Sequence, residues 1–109
     1  MVYDEGLAER IRAQIGVHPG LVEKQMFGGL SFLIHGNMAV GVIGDELCVR
    51  VGKEGHDEAI ARPGARTFDF RGRPMQGWIM VAPEVVGEDG DLVVWIEAGT
   101  AYAESLPTK

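Results

Sequence analysis

Cysteine is almost absent from this chain of 109 residues, since Cys48 is the only one. A lone thiol cannot form an intramolecular disulfide or complete a CxxC pair, so we expect a reducing, cytoplasmic environment. Apolar runs fall well short of the roughly 20 residues that a membrane-spanning helix needs, which predicts no membrane association. The N-terminus is acidic and lacks the basic start and apolar stretch of a secretory signal.

Basic residues are also in the minority, with 10 Lys and Arg against 16 Asp and Glu and a net charge of −6. This balance argues against a chain that coats nucleic acid or an anionic membrane, because such proteins carry an excess of cations. The apolar share of 46% and the charged share of 24% are those of an average globular protein. The length suits one hydrophobic core, and no linker or repeat interrupts it, so residues 1–109 are predicted to form a single domain.

Sequence motifs for known chemistry are missing as well. There is no phosphate-binding P-loop, GxGxxG segment after a strand, HExxH helix or EF-hand loop, and no serine or cysteine sits in a nucleophile-elbow pattern. The three histidines, His18, His35 and His56, are far apart in the chain and fall at or near predicted loops. We therefore expect no catalytic residue, no cofactor and no metal, and a protein that is not an enzyme.

Glycine is abundant, with 16 scattered copies that indicate many tight turns. Apolar residues at helical spacing predict helices at about residues 4–15, 53–61 and 89–106. Apolar runs between turn signals predict strands at about residues 21–27, 30–35, 38–43, 46–51, 67–70 and 78–81. This arrangement predicts an α+β domain, a two-layer sandwich whose antiparallel sheet carries its helices on one face.

The connections Gly36-Asn37 and Gly44-Asp45 join three of these strands into a meander. Gly-Asn and Gly-Asp suit two-residue hairpin turns because both residues tolerate positive φ. The resulting register sets Phe32 across from Gly41 and turns Leu33 toward the helices. It leaves four apolar residues on the opposite face, which we expect to form a homodimer or partner interface: Leu30, Phe32, Ile34 and Ile43.

Arginine is concentrated in one segment that also holds Phe68, Phe70 and Trp78. Guanidinium groups beside aromatic rings could bind phosphate, a carboxylate ligand or the acidic patch of a partner. The alternative is that they pair with acidic residues of the same domain, which dominate the C-terminal segment, or are simply solvated. The four candidate residues are Arg62, Arg66, Arg71 and Arg73.

Cys48 and the segment Met26-Phe27-Gly28-Gly29 are further candidates, each with a plain structural alternative. The Cys48 thiol could be a nucleophile between Arg50, which would lower its pKa, and Glu46, which would raise it. The alternative is a half-buried packing cysteine. The segment could contact a ligand, or it could be a strand that ends in two apolar residues before glycines bend the chain.

Three segments and the last helix together resemble the TfoX N-terminal domain family. The segments are residues 26–32 (MFGGLSF), 36–42 (GNMAVGV) and 68–78 (FDFRGRPMQGW), and the helix holds Trp95 and Tyr102, which we otherwise expect to be core anchors. The resemblance covers nearly the whole chain and implies a fold like that of secretion chaperones, in the order α-β-β-β-α-β-β-α. It also implies kinship with regulators of natural competence, which act with a transcription factor and carry a second, C-terminal domain. It implies no catalytic residue.

The function that we expect is that of a regulatory or protein-interaction module, with a transcription factor as one candidate partner. The first alternative is a small-ligand binder or small enzyme that uses Cys48 or the arginine-rich segment. The second is weak direct binding of nucleic acid through the same arginines, against which the net charge argues.

Overall fold

The computed structural model describes residues 3–108 and shows an α+β domain. The helices are α1 (Glu5–Ile15), α2 (Gly52–Ile60), α3 (Pro83–Val86) and α4 (Asp89–Ser105). The strands are β1 (Leu21–Met26), β2 (Gly29–Ile34), β3 (Asn37–Ile43), β4 (Glu46–Arg50), β5 (Ala65–Phe70) and β6 (Arg73–Val81). The fold class and the order of elements are those expected, with β1 ahead of the three-strand meander and the single turn α3 ahead of α4. None of the described helices combines the length and apolarity needed to cross a membrane.

All six strands form one antiparallel sheet in the order β1-β2-β3-β4-β6-β5. Sheet order follows chain order until α2 intervenes, after which β6 rather than β5 pairs with β4. The main hydrophobic core lies between one face of this sheet and residues from all four helices. We call the opposite face, on which none of the described helices packs, the open face.

The sequence provides the caps at which α1 begins and ends. The Asp4 carboxylate accepts a hydrogen bond from the backbone N–H of Leu7 at 3.1 Å, which caps the first turn. Such a cap typically contributes about 1 kcal/mol of stability. Gly16 has a φ of 67° and ends the helix. Leu7 and Ile11, one turn apart, are both buried, so these caps set a helix whose apolar stripe packs on the sheet.

The longest helix, α4, packs on β3 and β4 through a buried stripe. Leu92, Trp95 and Ile96 form this stripe, and the indole of Trp95 is buried as a core anchor, as predicted. At Gly99 the helix comes so close to the sheet that a Cβ would lie 2.4 Å from the carbonyl oxygen of Ala39. Only glycine permits that approach, so α4 is fixed tightly over the centre of the sheet.

The hairpin between β2 and β3 departs from the predicted register. Its turn is His35-Gly36, with φ values of 50° and 85°, and Ile34 pairs with Asn37. The Asn37 side chain is buried, and its Nδ2 donates a hydrogen bond to the carbonyl oxygen of Pro107 at 2.9 Å. This long-range bond places Asn37 in the strand rather than in the turn, which the local Gly-Asn signal does not reveal.

A β-bulge between Phe32 and Leu33 shifts the register again. Phe32 pairs with Val40, so the prediction that it lies across from Gly41 is wrong. Leu30 and Phe32 therefore face the helices, whereas Leu33 lies on the open face. The predicted exposed interface is wrong for three of its four residues, because the domain itself buries them: Leu30, Phe32 and Ile34. The next turn is as predicted, since Ile43 pairs with Glu46 across Gly44-Asp45.

A second, smaller hydrophobic cluster lies on the open face. Met38, Cys48, Phe68 and Met80 are buried in it. Six apolar side chains remain partly exposed around them: Phe27, Leu33, Ile43, Phe70, Met75 and Trp78. Ile43 is thus the one member of the predicted interface that keeps an accessible side chain on this face. The sheet consequently has an apolar layer on both sides, and only one of these layers is covered by the described helices.

Candidate functional site

Four aromatic rings meet on the open face, and we call them the aromatic cluster: Phe27, Phe68, Phe70 and Trp78. The Phe27 ring is central, because it packs edge-on against the other three at centroid separations of 5.5, 5.2 and 5.8 Å, respectively. Phe27 belongs to the β1–β2 turn, whereas the other rings belong to β5 and β6 in the opposite half of the sheet. These contacts require the sheet to curl toward the open face, which makes that face concave.

The segment Met26-Phe27-Gly28-Gly29 forms a strand end and a turn, which is the structural alternative to a ligand-contacting segment. Met26 ends β1, the residues Phe27 and Gly28 form the turn with φ values of 56° and 76°, and Gly29 begins β2. A Cβ on Gly29 would lie 2.0 Å from the carbonyl oxygen of Val42 on the neighbouring strand. The glycines therefore serve the turn and its packing, and the turn delivers the Phe27 ring to the aromatic cluster.

Arg50, at the end of β4, lies where the open face meets the helix layer. Its guanidinium carbon is 5.0 Å from the centroid of the Trp78 ring and 5.4 Å from that of Tyr102 on α4. The residue borders a cleft of about 640 Å³, which we call the Arg50 cleft. Its lining residues are Arg50, Val51, Gly52, Lys53, Glu54, Gly55, Gln76, Gly77, Trp78, Tyr102 and Ser105.

The walls of this cleft are fixed by backbone contacts that only glycine allows. Gly52 and Gly77 have φ values of 81° and 89°, and a Cβ on Gly77 would lie 2.8 Å from the backbone carbon of Gly52. The buried His56 of α2 accepts a hydrogen bond from the Gly77 N–H through Nδ1 at 2.8 Å, and its Nε2 lies 2.9 Å from Thr67 Oγ1. One imidazole thus ties α2 to both β5 and β6. It is buried within α2, the helix predicted at about residues 53–61.

The four arginines that the sequence singled out do not form one site. Arg62 stacks over the buried ring of Trp95 at 4.1 Å, and Arg66 pairs with Glu46 at 2.8 Å. Arg71 and Arg73 flank the β5–β6 turn, five or more residues along the chain from Arg66. That spacing corresponds to roughly 16 Å of extended strand. Arg66 thus has the internal ion pair that the alternative predicts. Arg62 and Arg71 instead contact aromatic rings, since the guanidinium carbon of Arg71 lies 5.1 Å from the centroid of the Phe70 ring.

Cys48 has the environment of a packing residue. Its side chain is fully buried in the cluster on the open face, and burial raises the pKa of the thiol to about 12. A thiol with that pKa is almost entirely protonated at neutral pH and is therefore a poor nucleophile. The geometry favours the structural alternative over catalysis. Within residues 3–108 there is also no group of three or more His, Cys, Asp or Glu side chains able to hold a metal ion.

Charge is divided unequally between the two layers of the domain. Ten acidic but three basic residues lie within the described helices. On the open face, strand alternation and register place four cationic positions: Lys24, Arg50, Arg66 and Arg73. Glu46 is the one acidic strand position on this face among residues 3–108, and it already pairs with Arg66. A chain with a net charge of −6 therefore has a cationic open face.

The sequence-based candidates missed the Arg50 cleft, because its lining residues come from three distant stretches of the chain, residues 50–55, 76–78 and 102–105. The sequence pattern gives Arg50 a role only in lowering the pKa of Cys48, and it predicts Tyr102 in the core. In the structure Tyr102 is partly exposed beside Arg50. The available signal was a pair of glycines, since Gly52 directly follows the strand predicted at residues 46–51 and Gly77 directly precedes the strand predicted at residues 78–81.

Comparison with known proteins identifies the family of this domain. The TfoX N-terminal domain matches residues 14–103, which run from the end of α1 to near the end of α4 and include the whole sheet. No curated protein matches the chain. Because the matched stretch covers most of the 109 residues, the chain belongs to the TfoX N-terminal domain family.

Proposed function

We propose that this domain is a non-catalytic regulatory module that binds a protein partner through its open face. The observation that carries the proposal is the concave, apolar face around the aromatic cluster, which no described helix covers. Family membership supports a regulatory role of this kind. The inaccessible Cys48 thiol supports a function other than covalent catalysis.

The composition of the open face is that of a recognition surface. Trp78, Phe70 and Met75 are partly exposed there, and aromatic residues, Met and Arg are the types enriched at protein interfaces. Their partial burial keeps the rings in fixed positions, so a partner gains apolar contact without ordering flexible side chains first. Arg50 and Arg73 on the same face add charged donors beside the rings.

The charges on this face favour a partner whose contact surface is acidic as well as apolar. Three of its four cationic residues lack an ion pair within the described chain, whereas Arg66 is paired. An acidic surface would be drawn to these charges. A second copy bound face to face would instead bring two cationic surfaces together, which disfavours a symmetric homodimer through this face.

Site-specific photo-crosslinking tests the proposal. A photoreactive phenylalanine analogue replaces Ile43, which is partly exposed on the open face, or Val94, which is 47% exposed on α4 and is the matched control. In an extract of the source cells we expect adducts to a protein from position 43 but not from 94. The cross-linked partner peptide should be rich in acidic and apolar residues, and Arg73→Glu should reduce the adduct.

The same experiment can overturn the proposal in three ways. Equal adducts from positions 43 and 94 would remove the role of the open face. A self-adduct at position 43 would indicate a homodimer through this face instead of an acidic partner. A nuclease-sensitive adduct would indicate single-stranded nucleic acid, whose bases also stack on aromatic rings beside cations.

A further inference from the structure

The Arg50 cleft adjoins the aromatic cluster, with which it shares Trp78, and contains a guanidinium that the described residues do not neutralise. Neither an ion pair nor a side-chain hydrogen bond joins Arg50 to another of residues 3–108. By contrast, Arg10, Arg12 and Arg66 each pair with a carboxylate at 2.7–2.8 Å. We propose that the Arg50 cleft binds the oxyanion group, a carboxylate or a phosphate, of a small organic ligand. This inference goes beyond the proposed protein interaction and does not depend on it.

The way in which Arg50 is held leaves its hydrogen-bond donors available. The guanidinium carbon lies over the rings of Trp78 and Tyr102, at 5.0 and 5.4 Å from their centroids, and these cation–π contacts occupy none of the hydrogen-bond acceptors that a ligand would supply. Its five N–H donors point outward in the plane of the group, where a carboxylate or phosphate can accept two of them at once. Two aromatic contacts restrain the side chain before any ligand arrives, which lowers the entropy cost of binding.

The rest of the cleft lining favours an anion over a cation. Lys53 adds a second positive charge, and Glu54 is the only acidic residue in the lining. No side chain caps the first turn of α2, so the backbone N–H groups of that turn supply further donors at the cleft wall. These donors supplement Arg50, since the stacked and unpaired guanidinium is the feature that selects an oxyanion.

The size of the cleft indicates an organic ligand rather than a bare inorganic ion. A volume of about 640 Å³ lies within the range of roughly 300–1,000 Å³ that is usual for small-molecule sites. An oxyanion bound to Arg50 would fill a small part of this space. The remainder is bordered by Trp78 and Tyr102, so the class of ligand is an organic phosphate or carboxylate with a planar apolar part.

An NMR titration of the ¹⁵N-labelled protein at constant ionic strength tests this inference. The probes are phenyl phosphate, benzoate and inorganic phosphate, which separate the phosphate source from the carboxylate source and both from the simple ion. We expect saturable shifts of the Trp78 indole N–H and of the amides of residues 52–55 and 77. The indole of Trp95, which is 1% exposed, should not move and is an internal control.

Two substitutions that each remove one positive charge decide whether Arg50 binds the probe. Arg50→Gln should weaken binding of the preferred aromatic probe at least tenfold, whereas Arg10→Gln, on the helix side, should leave it unchanged. Arg50→Lys keeps the charge but loses the planar pair of donors, so its affinity for the probe should lie between those of the other two variants. It provides a second test if Arg50→Gln unfolds. Shifts that do not saturate, equal affinity in Arg50→Gln, or inorganic phosphate binding as tightly as phenyl phosphate would overturn the inference.

Discussion

Phe32 offers the sharpest test of the structure, because the sequence and the structure place its ring on opposite faces of the sheet. In the structure Phe32 is completely buried in the helix-side core. Phe32→Ala removes roughly 130 Å² of apolar burial, or about 3 kcal/mol at about 25 cal/mol per Å². The cavity left beneath α4 adds to this cost, so the expected loss of unfolding free energy is about 3–5 kcal/mol.

Urea unfolding followed by circular dichroism measures this loss, with Phe70→Ala as the matched control. Phe70 is partly exposed on the open face, so its truncation should cost about 1–2 kcal/mol less than that of Phe32. The register expected from a Gly36-Asn37 turn would put Phe32 on the open face and reverse this order. A loss of unfolding free energy below about 1.5 kcal/mol for Phe32→Ala, with an unchanged dependence of that free energy on urea concentration, would refute the observed register.

Two further predictions concern a backbone position and an ion pair. Gly77→Ala should destabilise the domain by about 2 kcal/mol or more in urea unfolding, because the φ of Gly77 is 89° and an added Cβ would meet the backbone of Gly52. Gly72 has a similar φ of 77° but lies in open space, so Gly72→Ala should lower the unfolding free energy by less. The Arg12 guanidinium lowers the pKa of the Glu23 carboxyl, so this pair stabilises the fold above pH 4.5 and loses its effect as pH falls through the lowered value. Glu23→Gln should therefore cost less than about 1 kcal/mol of unfolding free energy at pH 7, since both side chains are about one-third exposed. The cost should shrink as pH falls below 4.5, and a cost that does not change with pH would contradict the assignment.

Local signals predicted those parts of the fold that local residues determine. The helix α1 begins beside Asp4 and ends before Gly16, as its capping residues indicate. The turn at Gly44-Asp45 also has the predicted register, and the bond that the Gly44 carbonyl oxygen accepts from the Asp4 N–H at 2.7 Å leaves that register unchanged. In both cases the residues that set the structure lie within a few positions of the element itself.

The β2–β3 hairpin shows where local reasoning fails. His35-Gly36 and Gly36-Asn37 are neighbouring turn choices that differ by a single residue, and a shift of one residue moves every side chain to the other face. The bond from Asn37 to Pro107, 70 residues away, favours the first choice. Because that bond depends on the position of the chain after α4, the sequence of the hairpin alone could not reveal it.

The Arg50 cleft was unpredictable for the same physical reason. Arg50, Trp78 and Tyr102 are separated by more than 20 residues from one another, and each is unremarkable in its own strand or helix. They meet because β6 pairs with β4 and α4 packs on β4. A search for motifs along the chain cannot detect a site that exists only through strand order.

The separation of charge between the two layers explains how an acidic chain can attract an acidic partner. At physiological salt the Debye length is about 8 Å, which is much shorter than the smallest extent of the domain, 28 Å. The open face and the helix layer therefore act as separate electrostatic surfaces, and the net charge of −6 does not determine what the open face attracts. The helix layer, with ten acidic residues, would repel the acidic partner proposed above, so such a partner would be oriented toward the open face before contact. This orientation follows from the distribution of charge between strands and helices, and an average over the whole chain conceals it.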